Sequence, residues 1–359
     1  MRRRVYAAPL AALSAALLGV TLVAPADAGV PSGTEEIGSL ITPLSVAVDN
    51  DGTIYVSQNF AGILTKQAPG GSPQTVFTAA NGGEVGAVSV QNNVVTFGTT
   101  TGDETNHMGR LWQKAGNAPA ALLLNTTKYE TKNNPDKIYN YGVFRIGSAC
   151  RAKAPDMLGK YTGHVDSHPY ASEMVGDTTY LADAGGNDIL KITDAGPSTV
   201  AVLPPTRIKL TAARQKALGL PRCARDGIFR AEAVPTDVAM GPDGNLYVTS
   251  LPGGPEDPSM GANGRVYKID PATGTVTKMA SGLLSPVGIA ISPTGTAYVS
   301  LLFAGVVLKQ PVGGTPSLFA QFDAPGDVDY ANGKVYVTRT DLMNDGTTPP
   351  NGAVLSYAP

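Results

Sequence analysis

Three features of the sequence predict an all-β fold and, within that class, a six-bladed β-propeller. The first is a repeat. Residues 43–73 read PLSVAVDNDGTIYVSQNFAGILTKQAPGGSP, and residues 286–316 read PVGIAISPTGTAYVSLLFAGVVLKQPVGGTP, in one register without a gap. Self-similarity of this kind means one structural unit used several times. The second is that four strand-like runs make up nearly every unit. The third is an orphan run, Thr34–Leu40, that has no partner of its own and lies just before the first unit.

Each unit opens as a hairpin. Three copies share the frame Pro-x8-Gly-x2-Tyr-Val-Ser/Thr, at Pro43…Gly52…Tyr55, Pro235…Gly244…Tyr247 and Pro286…Gly295…Tyr298. An apolar run (VAV, VAM or IAI) meets a turn, Asn-Asp-Gly, Pro-Asp-Gly or Pro-Thr-Gly, and a Tyr-Val run returns. Glycine at such a turn allows the reversal that a two-stranded meander needs. Looser copies lie at 84–99, turning at Asn92-Asn93, at 169–182, and at 325–338, turning at Asn332-Gly333.

A third strand follows each hairpin, at Ile63–Gln67, Gly109–Lys114, Asp188–Thr193, Arg265–Asp270, Val306–Gln310 and Ala353–Tyr357. A fourth follows in five units, at Gln74–Thr78, Ala120–Leu124, Thr199–Leu203, Thr275–Ala280 and Ser317–Gln321. The last unit stops after its third strand, so Thr34–Leu40 is expected to complete it and close the ring. Closure removes the open sheet edge. An open solenoid would need capping units and would leave that strand unexplained.

Two segments interrupt the units, near 125–163 and 204–234. The first is long and polar and contains Cys150. The second carries a short helix, Thr211–Leu218, stopped by Gly219, with Cys223 after it. Both precede the first strand of a unit, which places them on one rim. The chain opens with Arg2, Arg3 and Arg4, an apolar run from Ala7 to Val23 and the small-x-small site Ala26-Asp27-Ala28, the pattern of a cleaved secretory signal peptide over 1–28. The expected product is a single extracellular domain, 29–359, with Cys150 and Cys223 bridged, as two cysteines in an oxidising compartment predict. The formal net charge of −2, more acidic once the arginines are removed, disfavours a nucleic-acid partner. No later apolar run is long enough to span a membrane.

Three further runs carry a resemblance: VDSHPY (Val165–Tyr170), ADAGGNDIL (Ala182–Leu190) and VPTDVAMGPDGNLYVTSLPGGPEDPSMGANGRVY (Val234–Tyr267). Through them essentially the whole mature chain resembles the ScyD/ScyE family of secreted bacterial proteins. The resemblance implies a TolB-like six-bladed propeller, close to the NHL, gluconolactonase and calcium-dependent phosphotriesterase group. It brings no catalytic assignment. The chain departs from the family at His168, where the family's DSNPY run has asparagine.

Candidate chemistry follows from where the first strands begin, around the mouth of the central channel. Two residues after the anchor proline, most units place a small residue, but Asp237 and Asp327 break that pattern. With Glu84 and Asp166 on the same rim they form a candidate oxygen-ligand set for Ca2+, which takes six to eight oxygens. His168, Glu232, Asp183 and Asp188 are candidate rim residues for a ligand. Each of these acids also has an ordinary reading, as a turn cap or an acceptor of backbone N–H groups. His164 and His168, flanking Asp166, could act as acid and base. The Pro-pinned loop around Glu256 and Asp257 is a candidate recognition surface.

No nucleophile elbow, P-loop or dinucleotide fingerprint occurs, and the Asn-Asp-Gly turns lack the later ligands of a calcium loop. The leading expectation is therefore a scaffold that binds a small molecule, glycan or protein. The alternative is a metal-dependent hydrolase of the lactonase or phosphotriesterase kind, working at the channel mouth.

Overall fold

The computed structural model describes residues 33–359 except 104–105, 156–158, 256–257, 343 and 345–346. The expected signal peptide and the Glu256–Asp257 pair lie outside the described residues.

The proline that begins a unit explains how its sheet starts. Proline cannot donate to a ladder, so it belongs at the first position of a strand. Here Pro169, Pro286 and Pro325 open theirs, and a bulge follows within the next residues; Pro235 sits near its strand's start with a bulge directly after it. A bulge bends the strand and re-aims the side chains beside it. The side chain two residues on then reaches the neighbouring sheet. Ser45 Oγ accepts from Val88 N at 2.9 Å, Asp237 Oδ2 from Ile289 N at 2.6 Å and Asp327 Oδ2 from Val46 N at 2.8 Å.

Six antiparallel four-stranded sheets result. The first comprises Val46–Val48, Ile54–Gln58, Ile63–Gln67 and Gln74–Thr78. The second comprises Glu84–Gln91, Val94–Asp103, Asn106–Ala115 and Ala121–Leu124. The third runs through Pro169–Val175, Thr178–Asp183, Asp188–Thr193 and Gly196–Val202. The fourth runs through Ala233–Met240, Leu246–Pro252, Gly264–Ile269 and Val276–Leu283. The fifth holds Pro286–Ile291, Ala297–Leu301, Val306–Gln310 and Ser317–Gln321. The sixth holds Pro325–Ala331, Lys334–Arg339 and Gly352–Tyr357, and its fourth strand is Thr34–Leu40, antiparallel to Gly352–Tyr357. The first strands touch in succession around the molecule, and that of the sixth sheet touches that of the first.

Turn chemistry sets the hairpins. Gly52, Gly244 and Gly295 have φ of 85°, 74° and 82°, and Asn92-Asn93 and Asn332-Gly333 are also left-handed. The core lies between faces of adjacent sheets. Tyr180, Ala182 and Ile189 of the third pack against Val238, Val248 and Tyr267 of the fourth, and Tyr298 and Phe319 of the fifth pack against Val335 and Tyr357 of the sixth. Such interdigitated burial is the main stabilising term.

The two insertions do more than loop. They combine into a seventh four-stranded sheet, ordered Tyr161–Thr162, Asn140–Phe144, Ile228–Ala231 and Thr206–Lys209. This rim sheet has its own core, in which Val143, Ile208, Leu210 and Phe229 surround Cys150. Cys150 and Cys223 are bonded, with Cα atoms 5.8 Å apart. The predicted helix spans Ala212–Ala217 as α-helix, capped by Thr211, whose hydroxyl accepts from Arg214 N, and Gly219 follows it at φ 61°. The first insertion, long and polar in sequence, contains a helix, Thr126–Asn133, capped by Asn125. It packs on the third strand of the second sheet. Among the described residues no helix is long and apolar enough to cross a membrane.

Candidate active site

The sequence-predicted acids fall into three groups. At the axis, Asp237 and Asp327 are buried, and each carboxyl feels the other. Every one of their oxygens accepts a backbone N–H. Asp237 takes Val238 and Ile289; Asp327 takes Val328 and Val46. One layer along, Glu173 Oε1, on the first strand of the third sheet, accepts from Met240 N at 3.3 Å, and Asp329 Oδ2, two residues after Asp327, accepts from Val48 N at 2.7 Å. Burial raises the Asp237 and Asp327 carboxyls. Burial, reinforced by the charge of Asp329, pushes Glu173 to about 8, and burial carries Asp329 to about 6. These carboxylates are clasps between successive first strands.

The second group stands at the mouth. The second and third strands of the second sheet run longer than in the other units, and their hairpin carries His107 to the DSH run of the third. His107 Nδ1 lies 2.9 Å from Asp166 Oδ2, and its backbone N–H donates to Asp166 Oδ1 at 3.2 Å. His168 Nε2 lies 3.2 Å from Glu84 Oε2. The two imidazoles stack with centroids 5.1 Å apart, and Tyr170 meets His168 edge-on. Burial would raise Asp166, yet the hydrogen bonds and charge of His107 outweigh it and hold the carboxyl below its ordinary value. All four side chains are part-exposed. His164 diverges from this pair and packs on the Tyr161 ring, whose hydroxyl donates to Glu232 at 3.1 Å.

The third group lies beneath the rim sheet. Asp183 holds the DSH run in place. Its oxygens accept from His168 N at 2.6 Å, Ser167 Oγ at 2.7 Å, Gly185 N at 3.1 Å and Gly186 N at 3.2 Å. Asp188 accepts from Thr199 Oγ1 at 3.3 Å. Glu130 and Asp136, from the first insertion, are buried beside them. Burial raises all of these; it pushes Glu130 to about 8, Glu232 to about 7 and Asp136 to about 6.

The proposed Ca2+ quartet therefore has no common point. Glu84 and Asp166 are engaged by imidazoles, Asp237 and Asp327 by backbone N–H groups. Among the described residues no three His, Cys, Asp or Glu side chains converge as a metal-binding group. The four do not fit the ion expected of them. His107, Glu130 and Asp136 escaped the sequence reading. One signal was present for the first: the chain has three histidines, and all three come to this rim. Two open clefts lie elsewhere, between the hairpin turns at the opposite end of the sheets, one lined by Asn50, Asp51 and Asn332 and the other by Asn92 and Asp177. Neither contains the His–carboxylate pairs.

The fold is shared with solved β-propeller enzymes. The luciferin-regenerating enzyme aligns with TM-score 0.52 and 11% identity, covering 92% of this chain and 95% of its own. XC5397 of Xanthomonas campestris, described as a gluconolactonase, aligns with TM-score 0.51 and 12% identity, covering 94% and 99%. A putative oxidoreductase (glucose dehydrogenase) of Thermus thermophilus aligns with TM-score 0.51 and 14% identity, covering 91% and 99%. At such identities the likeness is one of fold. No family model and no curated protein matches the chain.

Proposed function

We propose that this chain is a secreted enzyme that hydrolyses a small, partly apolar lactone or ester at the channel mouth. The reading takes the six meander sheets as blades of one six-bladed, TolB-like propeller over residues 29–359, closed by Thr34–Leu40. It assigns residues 1–28 as a signal peptide removed on export and groups the chain with ScyD/ScyE proteins. The observation that carries the activity is the stacked pair of histidines, each held by its own carboxylate. A carboxylate on one ring nitrogen fixes an imidazole's orientation and tautomer, which is what an acid/base group needs. Two such oriented imidazoles side by side favour acid/base chemistry over passive binding.

In this mechanism Glu84 fixes His168 through Nε2. Nδ1 of His168, which has no protein partner among the described residues, takes a proton from water as its oxygen attacks the substrate carbonyl. The C–O bond to water forms, the acyl–oxygen bond of the ester breaks, and the departing alkoxide receives a proton from the histidine pair. His107, fixed by Asp166, carries positive charge beside the developing oxyanion.

Apolar side chains ring the same end. Ile41, Phe60, Met108, Val165 and Phe303 are all exposed. They occupy segments that the meander topology places at the end where first strands begin, and exposed apolar groups of this kind mark binding surfaces. The neighbours of like fold include a gluconolactonase, an enzyme of this reaction class.

The test is turnover of aliphatic and aryl lactones, esters and phosphotriesters by the mature protein. His168→Asn, which restores the family residue, is expected to lower kcat/KM by about 10^2- to 10^4-fold while leaving the fold unchanged. Binding without turnover, unaltered by His168→Asn, would favour the scaffold reading.

A further inference from the structure

We propose that Glu130 and Asp188 bind a hard divalent cation of the Ca2+ class in the space above Gly186, fastening the first insertion to the third sheet. This site is separate from the mouth histidines and does not rest on the hydrolase reading.

Glu130 is 2% exposed and Asp188 is 1% exposed. Glu130 Oε1 and Asp188 Oδ1 are buried with no hydrogen-bond partner, and so is Asn187 Oδ1 on the adjoining residue. None of Glu130, Asp136 or Asp188 makes an ion pair among the described residues. Buried polar atoms are almost always paired, and each exception calls for a partner. A bare buried carboxylate costs more still.

Asp188 Oδ1 and the second oxygen of Glu130, Oε2, also meet over one residue. A Cβ placed on Gly186 would stand 3.2 Å from Asp188 Oδ1, 3.3 Å from Glu130 Oε2 and 3.6 Å from Asp183 Cγ. Two carboxylates from different parts of the chain thus meet over one glycine, in a space that any side chain would fill. Glu130 rides on the helix Thr126–Asn133, and Asp188 opens the third strand of the third sheet. Asn187 Nδ2 donates to Asp136 Oδ2 at 2.9 Å, tying the same turn to the Pro135–Ile138 turn.

The donor set selects the ion. The nearest polar atoms are carboxylate oxygens, and an all-oxygen shell suits Ca2+ or Mg2+ over softer metals. Two carboxylates do not make a full cage, so water and neighbouring oxygens such as Asn187 Oδ1 would complete it. The charge crowding supports the same conclusion, because Glu130 feels Asp183, Asp136 and Asp166 on top of its burial. Asp183 is not a ligand, because four donors already occupy it.

The test is titration of the EDTA-treated mature protein with CaCl2, followed by calorimetry and thermal unfolding, and with Tb3+ as a luminescent probe, which Tyr129 should sensitise through its link to Asp188 by way of Thr199. One ion per chain is expected, with a Kd in or below the range of about 10^-4 to 10^-3 M seen for extracellular modules. Glu130→Gln and Asp188→Asn should each weaken binding at least tenfold. Gly186→Ala keeps every carboxylate but fills the space, and should do the same. Glu84→Gln and Asp237→Asn should leave the affinity unchanged. No binding by the wild-type protein at millimolar Ca2+ would overturn the proposal. So would a Glu130→Gln, Asp188→Asn double variant, folded by circular dichroism, that still bound one ion with wild-type affinity.

Discussion

The axis and the rim both bury carboxylates, and they treat them in opposite ways. At the axis Asp237 and Asp327 accept a backbone N–H on every oxygen, and Glu173 and Asp329 each accept another. At the rim Glu130 and Asp188 leave buried oxygens with nothing to accept. The bulges behind Pro235 and Pro325 account for the first arrangement, since each delivers a side chain to an N–H group of the next first strand. No such periodic device operates at the rim, where a helix from an insertion meets a turn of the third sheet. A buried acid is thus not one thing. The partners of its oxygens decide whether it is a clasp or a place where something else belongs.

The largest effect should come from Asp327→Ala. It strips the acceptor from Val46 N and Val328 N and leaves two buried donors unpaired. At about 1–3 kcal/mol for each such group, a loss near 4 kcal/mol is expected in denaturant unfolding. Asp327→Asn keeps an acceptor and should lose less. Asp188→Ala, measured in EDTA, should cost clearly less than Asp327→Ala, because no backbone donor depends on it. Equal costs would break the distinction between axis and rim.

Next is the disulfide. Replacing Cys150 and Cys223 with serine should cost about 2–5 kcal/mol, as removal of a native bridge commonly does. The loss should be local. Hydrogen exchange should quicken over the rim sheet strands Asn140–Phe144, Thr206–Lys209 and Ile228–Ala231, while the first strands of the six sheets keep their protection. Uniform loss across the molecule would show that the rim sheet is not a separate unit of stability.

These two regions also differ in how far the sequence revealed them. The meander sheets were legible because each unit states its turn and its anchor in residues with strong local preferences, such as Pro286 and Gly295 or Asn332-Gly333. Thr34–Leu40 was legible because a closed ring needs a last strand. The rim sheet was not, because one of its strands is only two residues long, Tyr161–Thr162, and its pairing joins segments far apart in the chain. The helix carrying Glu130 reads TTKYETKN, with no apolar stripe to announce a buried face. His107 was missed because its hairpin runs beyond the repeat, so the frame gave no reason to look there. Asp237 and Asp327 stood out correctly as exceptions to the small-residue pattern, but sequence alone cannot show that backbone N–H groups use up their oxygens.

A third effect separates axis from mouth by pH. Glu173 is pushed up to about 8 and Asp329 to about 6 in the folded chain, above their values when unfolded. The folded state therefore binds more protons between those values, and stability falls as pH rises. The contribution is complete below the ordinary carboxylate range and is lost as pH climbs through 6 and then 8. Each group can contribute at most about 1.4 kcal/mol per pH unit. Unfolding midpoints in EDTA should therefore rise as pH is lowered from 8 to 5, and Glu173→Gln should flatten the upper part of that slope. A midpoint that instead fell steadily on acidification from 8 to 5 would mean the axial acids are ionised, and the clasp assignment would need a counter-ion.

The smallest effect belongs to the mouth, and its sign is reversed. Asp166 sits below its ordinary value because His107 donates to it and carries charge beside it. A carboxyl lowered on folding stabilises above its unfolded value, and that stability disappears as pH falls through the folded one. The pair is part-exposed, so its worth is under about 1 kcal/mol. His107→Ala should therefore shift the unfolding midpoint slightly at pH 6, by an amount that shrinks as pH falls through the folded value of Asp166. Axial stabilisation should be lost on going up in pH, mouth stabilisation on going down. A residue whose removal costs so little stability is free to be kept for chemistry. If His107→Ala instead cost as much as Asp327→Ala, the histidine pair would be another clasp, and the reason for placing catalysis at the mouth would go with it.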